Sequence, residues 1–334
     1  MPEAIDDVHG AGAPVSPVTV LTGFLGAGKT TLLNRIVNGD HGLRIAVLVN
    51  DFGAINIDSD LVVGVESNDD IISLANGCVC CNIRDDLLAA VQRVIERTDC
   101  PEYIVLEASG VAEPSGIVST FADPGLRDRI RLDSIMCVMD AAGIFAVPAL
   151  MDLKLRQIAY SDMLVLNKTD LVGREEIQRI RAWLDEHFAR YRLVQSVRGD
   201  VPLDILLAQG RFDPAQLGAG DQGCAGAHPG HDDHGGAFST WSYETDKPLS
   251  LEALRETVKK LPASIYRCKG VIHSADAPGR RSVLHVVGKR VDLAVDSEWG
   301  DQIPRTRIVA IGADGAVDGE ALRDRFDLCV PANG

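Results

Sequence analysis

An α/β fold is predicted by this sequence: a mostly parallel sheet covered by helices, followed by a smaller α+β domain. Three observations carry the prediction. From Pro17 to about Arg211, short continuous apolar runs alternate with amphipathic segments, the pattern of strands buried on both faces of a sheet. A glycine-rich turn joins the first of these runs to a helix-like stretch. Around residues 213–236 the composition shifts to Gly, Ala, Asp and His, and a second set of strand-like and helix-like segments follows.

The elements follow in order. Val18-Thr19-Val20-Leu21 is the first buried-strand candidate, and Lys29 to Val37 after the glycine turn is helical. Ile45–Val49, Tyr103–Leu106, Ile135–Met139 and Met163–Leu166 are further apolar runs of the same type. Glu175 to Phe188 places Ile177, Ile180, Leu184 and Phe188 at helical spacing. In the second unit, strands are expected near Phe238–Tyr243, Ile265–Ile272, Val283–Val287 and Arg307–Ile311, with helices over Leu249–Leu261 and Gly319–Phe326. The organisation read from this is a flexible tail at 1–16, a first α/β domain at 17–212, a His/Gly-rich linker at 213–236 and a C-terminal domain at 237–330.

Composition narrows the function. The 334 residues carry a net charge of −15, which argues against a nucleic-acid surface. No apolar run reaches the roughly 20 residues needed to span a bilayer. The start of the chain has neither the basic nor the apolar region of a signal peptide, so the expected location is cytoplasmic. Eight cysteines in that compartment point to metal or redox chemistry rather than disulfides. Self-association stays open.

Gly23-Phe24-Leu25-Gly26-Ala27-Gly28-Lys29-Thr30 fits the G-x-x-x-x-G-K-[ST] phosphate loop, directly between a strand and a helix. Gly23, Gly26 and Gly28 let the backbone fold tightly, so that N–H groups, including that of Ala27, point at phosphate oxygens. Lys29 is expected at the β- and γ-phosphates, the Thr30 hydroxyl on Mg²⁺, and Thr31 as a further phosphate contact.

Asn167-Lys168-Thr169-Asp170 follows the strand that ends at Leu166. A carboxylate at Asp170 can accept hydrogen bonds from the ring N–H and exocyclic amine of guanine; adenine offers no such donor pair, so GTP is expected over ATP. Between the two motifs, Glu107 ends a strand ahead of Ala108-Ser109-Gly110. Its carboxylate is placed to hold Mg²⁺ through water, with Gly110 near the γ-phosphate. Lys29 and Glu107 are the expected catalytic residues. The sequence marks neither a water-positioning Gln nor an arginine finger, so intrinsic hydrolysis is expected to be slow.

Cys78-Val79-Cys80-Cys81 packs three thiols into four residues, which packing does not require and a soft metal ion does. Zinc held by three thiolates keeps a fourth position open, which suits an ion that must leave again. A redox C-x-x-C pair formed by Cys78 and Cys81 is the rival. In the linker, His228, His231 and His234 stand near Cys224, Asp232 and Asp233 and form either a weak metal collector or a solvated tract. Cys100, Cys137, Cys268 and Cys329 are isolated, with core or surface positions as the default.

With Gly23–Thr30, Cys78–Cys81, Glu107–Gly110 and Asn167–Asp170 in that order, the chain resembles the CobW-type metallochaperone GTPases of the CobW/HypB/UreG group. The resemblance runs from about residue 17 to 330. Arg267-Cys268-Lys269-Gly270 and Trp299-Gly300-Asp301 fall where the CobW C-terminal domain carries similar residues. It implies a P-loop GTPase fold, a metal site at Cys78, Cys80 and Cys81, and a client metalloprotein as partner. In Asn50-Asp51-Phe52-Gly53-Ala54, Asp51 and Ala54 depart from the family's Asn-Glu-Phe-Gly-Glu, which removes one acid from that segment. The function expected is GTP hydrolysis with Mg²⁺ coupled to delivery of a divalent metal, zinc preferred. Cobalt handling for a metalloenzyme, and a GTP-dependent regulatory switch with structural zinc, are the alternatives.

Overall fold

In the first domain, successive strand residues alternate between two apolar layers, because every second side chain of a strand leaves on the opposite face. Val47 and Val49 enter one core with Leu32, Leu33 and Ile36, while Ala46 and Leu48 enter another with Leu87, Val91 and Val94. A strand buried on both faces must sit inside a covered sheet, and parallel strands connected through helices achieve that. The computed structural model describes residues 15–50, 71–74, 83–97, 101–121, 126, 129–207, 238–300, 302–313 and 317–331.

The described strands of the first domain are β1 (Ser16–Thr22), β2 (Ile45–Asn50), β3 (Ile71–Leu74), β4 (Tyr103–Glu107), β5 (Ile130–Asp140), β6 (Met163–Asn167) and β7 (Leu193–Gln195). They form one seven-stranded sheet in the order β3-β2-β4-β1-β5-β6-β7. Every pairing in it is parallel. Around it lie α1 (Lys29–Val37), α2 (Ile83–Ile95), α3 (Pro114–Phe121), α4 (Met151–Tyr160), α5 (Arg174–His187) and the short α6 (Leu203–Leu206). The register pairs Leu21 with Glu107 and with Met136, and Asp140 with Asn167. The phosphate loop, Glu107 and Asn167 therefore emerge at the same carboxyl edge of the sheet.

The second domain is a five-stranded antiparallel sheet in the order β11-β10-β9-β12-β8. Its strands are β8 (Phe238–Thr245), β9 (Ile265–His273), β10 (Arg280–Val287), β11 (Arg290–Glu298) and β12 (Thr306–Ala313). Helices α7 (Leu251–Lys259) and α8 (Gly319–Asp327) contribute Leu254, Val258, Leu322 and Phe326 to its core. Both helices start on a side-chain cap: Ser250 accepts from the Ala253 N–H and Asp318 from the Ala321 N–H. Tyr266 and Val287 leave this domain's own core and join that of the first domain. Among the described residues three ion pairs also cross between the domains: Arg267–Asp133 at 2.8 Å, Arg290–Asp162 at 2.9 Å and Arg131–Asp292 at 2.9 Å.

The expected fold class is the one observed. β3 and β7 were not expected, being four and three residues long, too short to show periodicity. β11 was also missed: it is an edge strand whose last five residues are exposed, so its apolar signal is thin. β5 begins at Ile130, ahead of the apolar run that marked it. Of the isolated cysteines, left open between core and surface, Cys137, Cys268 and Cys329 are free and buried. Among the described residues no helix is long and apolar enough to cross a membrane.

Candidate nucleotide site

The loop between β1 and α1 has the shape its glycines dictate. Gly23, Gly26 and Gly28 all adopt positive φ, 128°, 73° and 100°. At Gly28 a Cβ would meet the Asn167 Nδ2 at 2.4 Å, and at Gly23 it would meet the Val138 carbonyl oxygen at 2.1 Å. Backbone therefore approaches backbone and side chain where L-residues cannot follow. Gly28, the residue before α1, supplies no side-chain cap, in contrast to Ser250 and Asp318.

Lys29, Thr30, Thr31, Glu107, Ser109 and Gly110 line one cleft of about 470 Å³ with Gly26 and Gly28. The Thr30 hydroxyl donates to Glu107 Oε1 at 2.9 Å, and the Lys29 ammonium reaches the Phe24 carbonyl at 3.4 Å. Glu107 is 2% exposed at the end of β4. The expected nucleotide and Mg²⁺ residues of the loop and of β4 are thus gathered in one place.

Asn167 has partners inside the protein. Its Nδ2 donates to the Ala27 carbonyl at 3.0 Å, and its Oδ1 accepts from the Gly199 N–H at 3.0 Å and the Ser196 hydroxyl at 3.4 Å. It ties the phosphate loop to the segment after β7. Lys168, in left-handed backbone at φ 61°, pairs with Asp140 at 2.7 Å. Asp170 lies exposed in the short 3₁₀ turn Thr169–Leu171.

Sequence reasoning missed two supports that α4 supplies. Gln157 donates to the Gly110 and Ala112 carbonyls, each at 3.1 Å, and so holds the segment after β4. Lys154, 2% exposed, donates to the Ile144 carbonyl at 2.7 Å and to the Ala146 carbonyl, with its ammonium 4.6 Å from the Phe24 ring centroid. Burial pulls its pKa below that of an ordinary lysine, against the pull of Asp140. Nothing in the local sequence distinguishes these two from any polar helix residue; only their packing against the phosphate loop and the Gly110 segment does.

Cys78, Cys80 and Cys81 lie outside the described residues, in the connection between β3 and α2, as do Asp51, Ala54, Cys100 and the linker residues His228, His231 and His234. Among the described residues no group of three or more His, Cys, Asp or Glu side chains is gathered to hold a metal ion.

A P-loop between β1 and α1, with a guanine-type Asn-Lys-x-Asp motif at the end of β6 of the same parallel sheet, defines a P-loop GTPase. Residues 17–195 match the family described as "CobW/HypB/UreG, nucleotide-binding domain", and residues 238–330 match "Cobalamin synthesis protein cobW C-terminal domain". The chain belongs to the CobW/HypB/UreG family. It is 34% identical to the zinc chaperone CobW of Pseudomonas aeruginosa, over 89% of this chain and 88% of that one. It is 31% identical to the zinc chaperone CobW of a Sinorhizobium species, over 89% and 92%. Identity to the zinc chaperone YjiA of Escherichia coli is 30%, over 88% and 93%.

Proposed function

We propose that this GTPase is a metallochaperone that carries a divalent metal, zinc preferred, on Cys78, Cys80 and Cys81 and hands it to a client metalloprotein. The observation that carries the nucleotide half of this reading is the Thr30–Glu107 contact of 2.9 Å beside Lys29 in one cleft. A hydroxyl and a carboxylate held together are hard oxygen donors of the kind Mg²⁺ takes with phosphate oxygens. When bound, Mg²⁺ supplies charge neutralisation to the phosphates. The protein's own groups do the remainder. The N–H groups of the loop and of the first turn of α1 hold the phosphate chain, Lys29 places a positive charge on it, and Asp170 selects guanine. Thr31 and Gly110 line the phosphate end, with Gly110 held by Gln157.

The metal half rests on the three thiols, on the names of the relatives, and on topology. β3 runs parallel to β2, so the chain leaves it toward the edge from which the phosphate loop emerges, and the thiols follow within that connection. Coupling requires that a change at the γ-phosphate favour one state of the thiol segment. Coupling of this type is typically worth about 1–3 kcal/mol.

The test is zinc affinity measured with GDP and with a non-hydrolysable GTP analogue, in the parent and in a Cys78→Ser/Cys80→Ser/Cys81→Ser variant. The expected result is a nucleotide-dependent affinity in the parent and loss of the bound zinc in the variant. Cobalt is titrated alongside, and tighter cobalt than zinc at equal nucleotide state would move the cargo assignment to cobalt. Equal zinc affinity in both states, or full zinc retention by the variant, would sink the proposal.

A further inference from the structure

On the side of the molecule where α5 and β7 face the second domain lies a cleft of about 880 Å³ that the nucleotide chemistry does not use. Arg181, Arg190, Arg192, Lys259 and Lys289 line it, against the single acid Asp185. In a chain with a net charge of −15, five cations around one cavity form a local field opposite to that of the whole.

Arg192 is the informative member. It is 6% exposed, and its Nε is buried with no hydrogen-bond partner among the described residues. The nearby carboxylate, Asp162, is already engaged by Arg290 at 2.9 Å and by the Ile135 N–H at 2.9 Å. The Cys268 thiol beside it is pushed up to about 12 by burial and so brings no negative charge at neutral pH. Burial pulls the Arg192 guanidinium down to about 10, Arg190 adds to that, and Asp162 opposes it without restoring the ordinary value. A buried guanidinium whose Nε lacks a hydrogen-bond partner, and whose nearby carboxylate is shared with Arg290, is under-compensated, and an anion that enters the cavity resolves this.

The walls are set before any ligand arrives. Gly288, at φ 55°, packs so closely that a Cβ would fall 1.7 Å from the Asp162 carbonyl oxygen. The next residue, Lys289, donates its backbone N–H to that same oxygen at 3.2 Å and its ammonium to the Ala159 carbonyl at 3.3 Å. Arg190 reaches the Leu261 carbonyl at 3.3 Å. Tyr191 and Tyr266 supply aromatic surface alongside the cations. A volume of this size takes a nucleotide-sized molecule, and a guanidinium fork fits phosphate oxygens in pairs.

We infer that the interdomain cleft around Arg192 binds a phosphorylated small molecule of about nucleotide size, separately from the phosphate loop. Arg192 receives the phosphate, Arg190 and Lys289 flank it from the two domains, and the bound ligand bridges them.

The test is calorimetric titration of inorganic pyrophosphate into the full-length Lys29→Ala protein, whose phosphate loop is disabled, without magnesium. Saturable binding is expected, weakened about tenfold or more by Arg192→Met, the scale of one charge-assisted contact. An Arg190→Ala/Lys289→Ala variant, altered only at exposed side chains, is expected to weaken it as well. Without ligand, Arg192→Met is expected to melt at or above the temperature of its parent, because a buried charge with an unsatisfied Nε has gone. Absence of saturable binding, or affinity unchanged in both variants, overturns the inference. Binding of a poly-aspartate peptide with no binding of pyrophosphate also overturns it, and assigns the cleft to an acidic protein segment.

Discussion

Arg267 of β9 donates to the Asp133 carboxylate of β5 at 2.8 Å, with both side chains 1% exposed, and so buries a full ion pair between the two domains. The pair is embedded in a network. Arg267 also donates to the Ile205 carbonyl at 2.9 Å, and Asp133 accepts from the Tyr103 hydroxyl at 2.8 Å. Tyr103, having given its proton to Asp133, accepts from Thr19 at 2.9 Å, and Thr19 accepts from Ser134 at 3.0 Å. Thr19 lies on β1, the strand that delivers the phosphate loop. Burial alone would raise the Asp133 pKa; Arg267, the Tyr103 hydroxyl, Arg131 and Lys269 together outweigh it and hold it below the usual carboxylate value.

Breaking this pair from one side leaves the other charge buried. Arg267→Met is expected to destabilise the protein by about 3–5 kcal/mol. Adding Asp133→Leu removes the stranded carboxylate, and the double variant is expected to recover most of the loss. Urea unfolding of the three variants measures this. A double variant as unstable as Arg267→Met would mean that the pair contributes more than charge compensation.

Gly28→Ala is expected to abolish nucleotide binding while leaving the protein folded. The added methyl group meets Asn167, and φ of 100° disfavours any L-residue there. Asn167→Ala removes the bond it donates to the Ala27 carbonyl and the one it accepts from the Gly199 N–H, each worth about 0.5–1.5 kcal/mol. It should weaken GTP and GDP alike, because it loosens the loop and not the base. Displacement of a fluorescent GDP analogue reports both effects; an Asn167→Ala protein that binds both with parental affinity would contradict the stapling role.

Asp170 is exposed in its turn, so its replacement carries little risk to folding. Asp170→Ala should weaken GTP by about 10- to 100-fold, the scale of charge-assisted hydrogen bonds from the base, and leave the weak ATP affinity unchanged. Competition of the two nucleotides against the same fluorescent probe checks the prediction. Equal losses for GTP and ATP would place Asp170 outside base recognition.

Acid should weaken the fold through His285. Burial pulls its pKa from 6.5 to about 3, Arg131 adds to this, Asp133 opposes it, and Lys269 and Arg267 act with Arg131. Between those two values the unfolded chain holds a proton that the folded chain does not, so protons favour unfolding. Stability is therefore full above pH 6.5 and falls as pH drops toward 3. Asp133, already held low, keeps its charge until below its unfolded value of 3.8. Asp162, raised by burial despite Arg290, has the opposite slope, but the parent and the variant share it. His285→Gln should flatten the loss of urea midpoint between pH 7 and pH 5; an unchanged slope would assign that loss to another group.

The phosphate loop was legible because its conformation is local: glycines at fixed offsets and a strand and helix on either side determine its shape. The α5 helix was legible for the same reason, its apolar residues recurring at helical spacing. β3 and β7, four and three residues long, are too short for periodicity to show, and β11 exposes its last five residues. Lys154 and Gln157 gave no signal because their role consists of carbonyls that other segments bring to them.

By itself, the sequence determined which chemistry the chain carries. The phosphate loop, the Asn-Lys-x-Asp motif and the clustered thiols each have meaning through the order of their own residues. The tertiary structure decided what holds those motifs together and what lies between the domains. Asn167 reaching the phosphate loop, Arg267 reaching Asp133 and the Arg192 Nε left without a hydrogen-bond partner among the described residues all depend on residues far apart in the chain. Burial then decides their energies, since the same charges in water would be worth little.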